Sequence, residues 1–167
     1  GAALQAGANP YDLALDAPLT LNVPGSGTWS PKNYTREFAG EVTLTEALAK
    51  SINTAAVRVS ENTGRARVKA LAADLGVNSP IADGPALALG ASEATLLEMT
   101  GAYAGFLNGG VRAQPYGMRE LRMKSDGSLL MEGGNGSPLR VMDERAAGQL
   151  VWMMSQVVAQ GTGSRAQ

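Results

Sequence analysis

Apolar positions recur at helical spacing in four stretches of the chain. Ile52, Ala56 and Val59 mark a stripe on a helix expected over 54–63 and ended by Gly64. Val68, Leu71, Ala72 and Leu75 place the inward face of a helix over 65–75, with Gly76 as its stop. Leu96, Met99, Tyr103, Phe106 and Leu107 share one face of a third helix, which begins at the capping-box sequence Thr95-Leu96-Leu97-Glu98 and ends at Gly109-Gly110. Its Met and aromatic side chains read as core, so this is expected to be a buried central helix. Ala147, Leu150, Met154, Val157 and Val158 predict a fourth helix, capped by Asp143 and closed by Gly161. A shorter helix through about Lys50 starts at a second capping-box sequence, Thr43-Leu44-Thr45-Glu46.

Elsewhere the period changes. Leu121 and Met123 alternate with Arg122 and Lys124 ahead of Asp126-Gly127, which predicts a β-hairpin. Gly133-Gly134-Asn135-Gly136-Ser137-Pro138 reads as a flexible loop, and residues 76–91 as another. Residues 8–40 are rich in Pro, Gly, Asn and Asp, with one short strand expected over 19–23 and an irregular loop carrying Trp29 and Tyr34. Two readings of those aromatics stay open: they pin the loop to the core, or they line a cleft. The overall expectation is a mainly α fold with a small β-hairpin.

With 167 residues, 44% of them hydrophobic, the chain is long enough to bury a core. The absence of His and Cys narrows its chemistry most. Ser-His-Asp triads, thiol nucleophiles and His- or Cys-ligated zinc are impossible within it. Catalysis would have to use hydroxyls, amines, carboxylates and amides, and neither a cofactor nor a metal is expected. The 14 basic and 15 acidic residues include no basic tract, so no nucleic-acid partner is expected. No apolar run approaches the length of a bilayer span. Residues 2–7, Ala-Ala-Leu-Gln-Ala-Gly, read as the last turn of a helix with Gly7 as its C′ residue, so the chain is expected to be part of a longer one.

Ser51-Ile52-Asn53 falls between two expected helices. On a continuous helix, residues i and i+2 point about 200° apart. In extended or turn backbone they share a face. The pair can therefore serve one site only if the chain leaves the helix there. The structural alternative is that Asn53 caps the helix beginning at Thr54. Alone the tripeptide is weak, since Ser-x-Asn arises by chance on the order of half a time in a chain this long.

The neighbouring sequence strengthens it. Trp29-Ser30-Pro31-Lys32-Asn33-Tyr34, Phe38-Ala39-Gly40, the run from Val42 to Val57, Leu87-Ala88-Leu89-Gly90, Thr95 to Met99, Ala102-Tyr103-Ala104, Asn108-Gly109-Gly110 and Gly161-Thr162-Gly163 together resemble the transpeptidase domain of class A penicillin-binding proteins of the 1A-like kind. The likeness runs in order through nearly the whole chain. Of that family's motifs Ser-x-x-Lys, Ser-x-Asn and Lys-Thr-Gly, only the second is here. No Ser is followed three residues later by Lys in a helical context, and Gly161-Thr162-Gly163 lacks the Lys of the third motif.

The resemblance implies an α+β parent domain of which residues 1–167 are the middle, between the Ser-x-x-Lys and Lys-Thr-Gly motifs, with most of the central sheet outside the chain. It implies serine acyl transfer that crosslinks peptidoglycan stem peptides, with β-lactams acylating the same serine. A lysine with a lowered pKa would replace His as the base. Ser51 and Asn53 would be catalytic, and Trp29 and Tyr34 would border the substrate cleft. The parent is expected on the outer face of a bacterial cytoplasmic membrane, held by an upstream anchor. It is expected to carry a glycosyltransferase, and the 167 residues alone are expected to be inactive. The alternatives are a β-lactamase or DD-carboxypeptidase of the same superfamily, and a non-catalytic helical interaction module.

Overall fold

The computed structural model describes residues 1–134 and 136–166. Among the described residues the fold comprises six α-helices and three two-stranded antiparallel sheets. A short helix α1 (Ala2–Gln5) leads into strand β1 (Leu13–Asp16). Strands β2 (Leu21–Val23) and β3 (Gly27–Trp29) form a hairpin, and β4 (Gly40–Thr43) returns to pair with β1. Helices α2 (Leu44–Ala49), α3 (Asn53–Thr63) and α4 (Arg65–Asp74) follow. Helix α5 (Leu96–Leu107), the hairpin β5 (Glu120–Arg122) and β6 (Leu129–Glu132), and helix α6 (Glu144–Gln160) complete the chain, with a 3-10 turn over Pro85–Leu89.

The helices sit within a residue or two of their sequence positions because their end signals operate. Thr95 and Glu98 form the full reciprocal capping box at α5. At α2 only half of the box forms: Thr43 Oγ1 accepts from the Glu46 N–H at 3.1 Å, while Glu46 turns its carboxylate to Lys50. Asp143 caps α6 by accepting from the Arg145 and Ala146 N–H groups. The Asp126-Gly127 hairpin is present, and the loop expected over 133–138 includes Asn135, which lies outside the described residues.

Two corrections concern the β content. The single expected hairpin is joined by two further ladders, β1–β4 and β2–β3, so Trp29 lies on a strand opposite Leu21 and not in an irregular loop. Strand β1 was invisible to hydrophobic patterning because its alternation is inverted. Leu13 and Leu15 face solvent, while Ala14 and Asp16 are buried. The charged residue goes inward because buried donors await it there, as shown below.

The main core joins α1, α4, α5 and α6 through Leu4, Leu71, Leu75, Ala102, Met142, Ala146, Ala147, Leu150 and Met153. Each of its leucines contributes about 2 kcal/mol by burial. Helix α5 enters this core by an unexpected face. Gly101, Ala102 and Gly105 are its buried positions, while Leu96 is 84% exposed, Leu107 75% and Tyr103 52%. The expectation of a buried central helix is thus corrected: small residues give close approach to Leu75 and the 111–115 segment, and most of the large apolar stripe faces away. Only Phe106 packs back against the core.

A second, smaller cluster packs β1 and β4 on α2 and α3 through Ala14, Val42, Ala47, Ile52 and Ala55. In α3 the deepest positions are Thr54, Ala55 and Val57, not the expected Ala56 and Val59, which are only half buried.

Candidate active site

Helix α2 ends in a Schellman arrangement. The Ile52 N–H reaches back to the Ala47 carbonyl at 2.9 Å, and the Ser51 N–H to the Leu48 carbonyl at 3.1 Å. The C′ position of this motif adopts a left-handed conformation and usually takes Gly. Here it is Ser51, with φ of 54°. Ile52 is extended (φ −77°, ψ 108°), and α3 starts at the next residue. The helix is therefore interrupted where a shared site requires it to be.

The burial pattern across the break follows from that geometry. Ser51 is exposed, Ile52 is 8% exposed in the second core cluster, and Asn53 is half buried. One apolar side chain pins the bend, and the polar residues on either side turn away from the core together. Both line one groove of about 490 Å³. Leu44, Ala47, Ile52, Ala55, Val59 and Met153 give it apolar walls.

Each polar side chain is held from a distant segment. Ser51 Oγ lies 3.2 Å from Thr162 Oγ1. The Thr162 N–H donates to the Ala49 carbonyl at 3.0 Å, so the residues after α6 seat on the end of α2. Gly161 is needed at that junction, since a Cβ there would come within 2.2 Å of the Ala49 carbonyl oxygen. Asn53 Nδ2 donates to the Lys32 carbonyl at 2.8 Å. The alternative that Asn53 caps its helix does not hold: Ile52 occupies the cap position, and no side chain bonds there.

Lys32 belongs to the segment between β3 and β4, which a buried polar cluster fixes. Asp16, 2% exposed, accepts from Asn33 Nδ2 at 2.7 Å, from the Ala39 N–H at 2.8 Å and from the Thr54 hydroxyl. Burial opposes the charge on Asp16. The bonds from Thr54, Ala39 and Asn33 and the positive charge of Arg58 outweigh it, so the carboxyl lies below its ordinary range.

Trp29 and Tyr34 do not line the groove that Ser51 and Asn53 share. Trp29 is half buried on its strand and Tyr34 is fully exposed, so Tyr34 does not pin the loop to the core. Asn33, between them, does so instead. Sequence reasoning missed Asp16, Asn33, Thr54 and Thr162 as parts of the site. Asn33 stood within the recognised Trp29–Tyr34 string, while Asp16 carried no signal, being a lone acid in an inverted strand.

The chain superposes on penicillin-binding protein 1A from Haemophilus influenzae with a TM-score of 0.86 at 24% identity, covering 98% of this chain and 30% of that one. Penicillin-binding protein A from Mycobacterium tuberculosis, in its penicillin G acyl-enzyme complex, gives a TM-score of 0.78 at 27% identity over 95% of this chain and 41% of that one. Penicillin-binding protein 1A of Rickettsia felis is 34% identical over 135 residues, 80% of this chain and 17% of the relative. The pattern of the penicillin-binding protein transpeptidase domain matches residues 1–167. The chain belongs to that family, and it spans less than a fifth of the curated relative it matches.

Proposed function

We propose that residues 1–167 are the central part of a transpeptidase domain, and that the protein carrying them crosslinks peptidoglycan stem peptides by serine acyl transfer. The observation that carries this reading is the interrupted helix at Ser51-Ile52-Asn53, whose two polar residues line one groove. Helix α1 forms part of that groove's wall. A helix continuing N-terminal to α1 would bring the Ser-x-x-Lys nucleophile and base alongside Ser51 and Asn53.

In the first half-reaction the nucleophilic serine attacks the carbonyl of the D-Ala-D-Ala bond. Its proton passes to the lysine, and the departing D-Ala nitrogen takes up a proton. Ser51 relays that proton between lysine and leaving nitrogen, because a hydroxyl both donates and accepts. The Asn53 carbonyl oxygen holds the lysine ammonium, and its amide nitrogen binds the substrate. In the second half-reaction an amine of another stem peptide attacks the ester, forms the crosslink and releases the serine. β-Lactams acylate the same serine and remain bound to it. Trp29 and Tyr34 lie three positions before and two positions after Lys32, whose carbonyl accepts from Asn53, and the reading gives them the border of the substrate's approach.

The protein works on the outer face of a bacterial cytoplasmic membrane, anchored and joined to a glycosyltransferase by segments outside this chain. Labelling with a fluorescent penicillin tests the reading. The intact protein labels, the 167-residue chain by itself does not, and Ser51→Ala in the intact protein labels slowly. Normal labelling by Ser51→Ala would remove Ser51 from the mechanism.

A further inference from the structure

Next to the bend lies a group of polar side chains with no part in the proton transfers just described. Asp16, Asn33 and Thr54 are respectively 2%, 8% and 0% exposed. They come from β1, the 30–39 segment and the first turn of α3. Asn33 works in two directions: its Nδ2 donates to Asp16 at 2.7 Å and to the Glu37 carbonyl at 2.9 Å, and its Oδ1 accepts from the Thr54 N–H at 3.3 Å. That N–H belongs to the first turn of α3, where helices leave donors unpaired. Thr54 closes the circuit by donating its hydroxyl to Asp16.

The placement relative to the site is specific. Thr54 follows Asn53 directly, and Asn33 follows Lys32 directly. The buried link joins Asn33 to Thr54, and the exposed link, Asn53 Nδ2 to the Lys32 carbonyl at 2.8 Å, joins the residues just before them. Two peptide segments 21 positions apart are thus fastened side by side twice over. The inner fastening is dry, and the outer one holds a side chain that lines the groove. Moving Asn33 or the start of α3 would move the Lys32 carbonyl relative to Asn53 and release its carboxamide.

We infer that Asp16, Asn33 and Thr54 are positioning residues for acyl transfer, a buried brace that sets the orientation of Asn53 through the Lys32 carbonyl. The inference rests on the acyl-transfer reading given above. A brace that only stabilises the fold would slow acylation no more than any equal loss of stability. A brace that aims Asn53 slows it beyond that, and only while Asn53 is present.

The test measures the second-order rate of acylation by a fluorescent penicillin in the intact protein. Thr54→Val keeps the shape and removes the hydroxyl. It is expected to slow acylation about tenfold, the scale of a displaced positioning group. In an Asn53→Ala background the same change is expected to alter the rate by less than about twofold, because residues acting as one unit do not add. Thr54→Ser retains the donor and is expected to restore the wild-type rate. Leu75→Ala, in the main core and outside the lining of the groove, serves as a destabilised control and is expected to acylate normally while its thermal midpoint falls at least as far. Wild-type rates in Thr54→Val, or effects of Thr54→Val and Asn53→Ala that multiply independently, would overturn the inference. If Thr54→Val folds too poorly to assay, the Thr54→Ser and Asn33→Ala rates decide: a fast Ser variant with a slow Ala variant supports the brace, and equal rates dismiss it. Failure of the wild-type protein to label would instead overturn the acyl-transfer reading itself.

Discussion

Ser51 and Thr162, 111 positions apart, bring their hydroxyl oxygens to 3.2 Å of each other. The contact exists because the glycine after α6 lets the chain touch the end of α2. Replacing it with alanine forces a Cβ to within 2.2 Å of the Ala49 carbonyl oxygen, where backbone must move. Gly161→Ala is expected to destabilise the domain by about 1–3 kcal/mol, the range for overpacking. Thermal unfolding of the variant and of Thr162→Val separates packing from the hydroxyl contact, since Thr162→Val should cost under about 0.5 kcal/mol at an exposed position.

Glu98 supplies a pH dependence. It accepts from the Ser79 hydroxyl and from the Asn78, Ser79 and Thr95 N–H groups, tying the 76–90 loop to the start of α5. The Ser79 and Thr95 bonds lead in lowering its carboxyl to about 2. A depressed carboxyl contributes stability that is complete above its unfolded-state value, near 4.5, and disappears as pH falls toward 2. Amide exchange at Asn78 and Ser79 should therefore accelerate as pH drops through that window, after correction for intrinsic exchange. Glu98→Gln should exchange fast at every pH and lose the dependence.

The two ends of the α2 cap should respond unequally. Thr43→Ala removes the acceptor for the Glu46 N–H and is expected to cost about 1 kcal/mol. Glu46→Ala removes only an exposed pair with Lys50 and should cost a few tenths of a kcal/mol, about the value of an i,i+4 ion pair. Chemical denaturation midpoints would show the order. A reversed order would mean that Glu46 closes the capping box after all.

Helix α5 should reverse the usual mutational ranking in the 167-residue chain. Leu107→Ala, at 75% exposure, is expected to change stability by less than about 0.5 kcal/mol. Ala102→Leu, at 5% exposure against the core, is expected to cost about 1–3 kcal/mol. A large loss in Leu107→Ala would show that the outward face is covered in solution.

These contrasts show what could be read from the sequence. The extents of α3, α4, α5 and α6 follow from local rules: a cap, an apolar stripe and a glycine stop, all within one segment. The break at Ser51 was legible for a chemical reason, because a hydroxyl and a carboxamide two apart can share a site only off the helix. The orientation of α5 was not legible. Helical spacing shows that Leu96, Met99, Tyr103 and Leu107 lie together, but not what they face, and here Gly101, Ala102 and Gly105 won the close contact. Asp16 was hidden for a different reason. A buried carboxylate depends on donors 17 and 38 positions away, and no pattern within β1 announces them.

The left-handed backbone at position 51 sets stability against the proposed chemistry. Glycine would adopt φ of 54° freely, whereas a serine there sacrifices roughly 1–2 kcal/mol. Ser51→Gly should melt at a higher temperature than the natural sequence, and it would lack the hydroxyl to which the proposed function gives the proton relay. The loop would be sturdier for losing its side chain, so under the proposed relay role position 51 is one where thermal resilience and turnover pull in opposite directions.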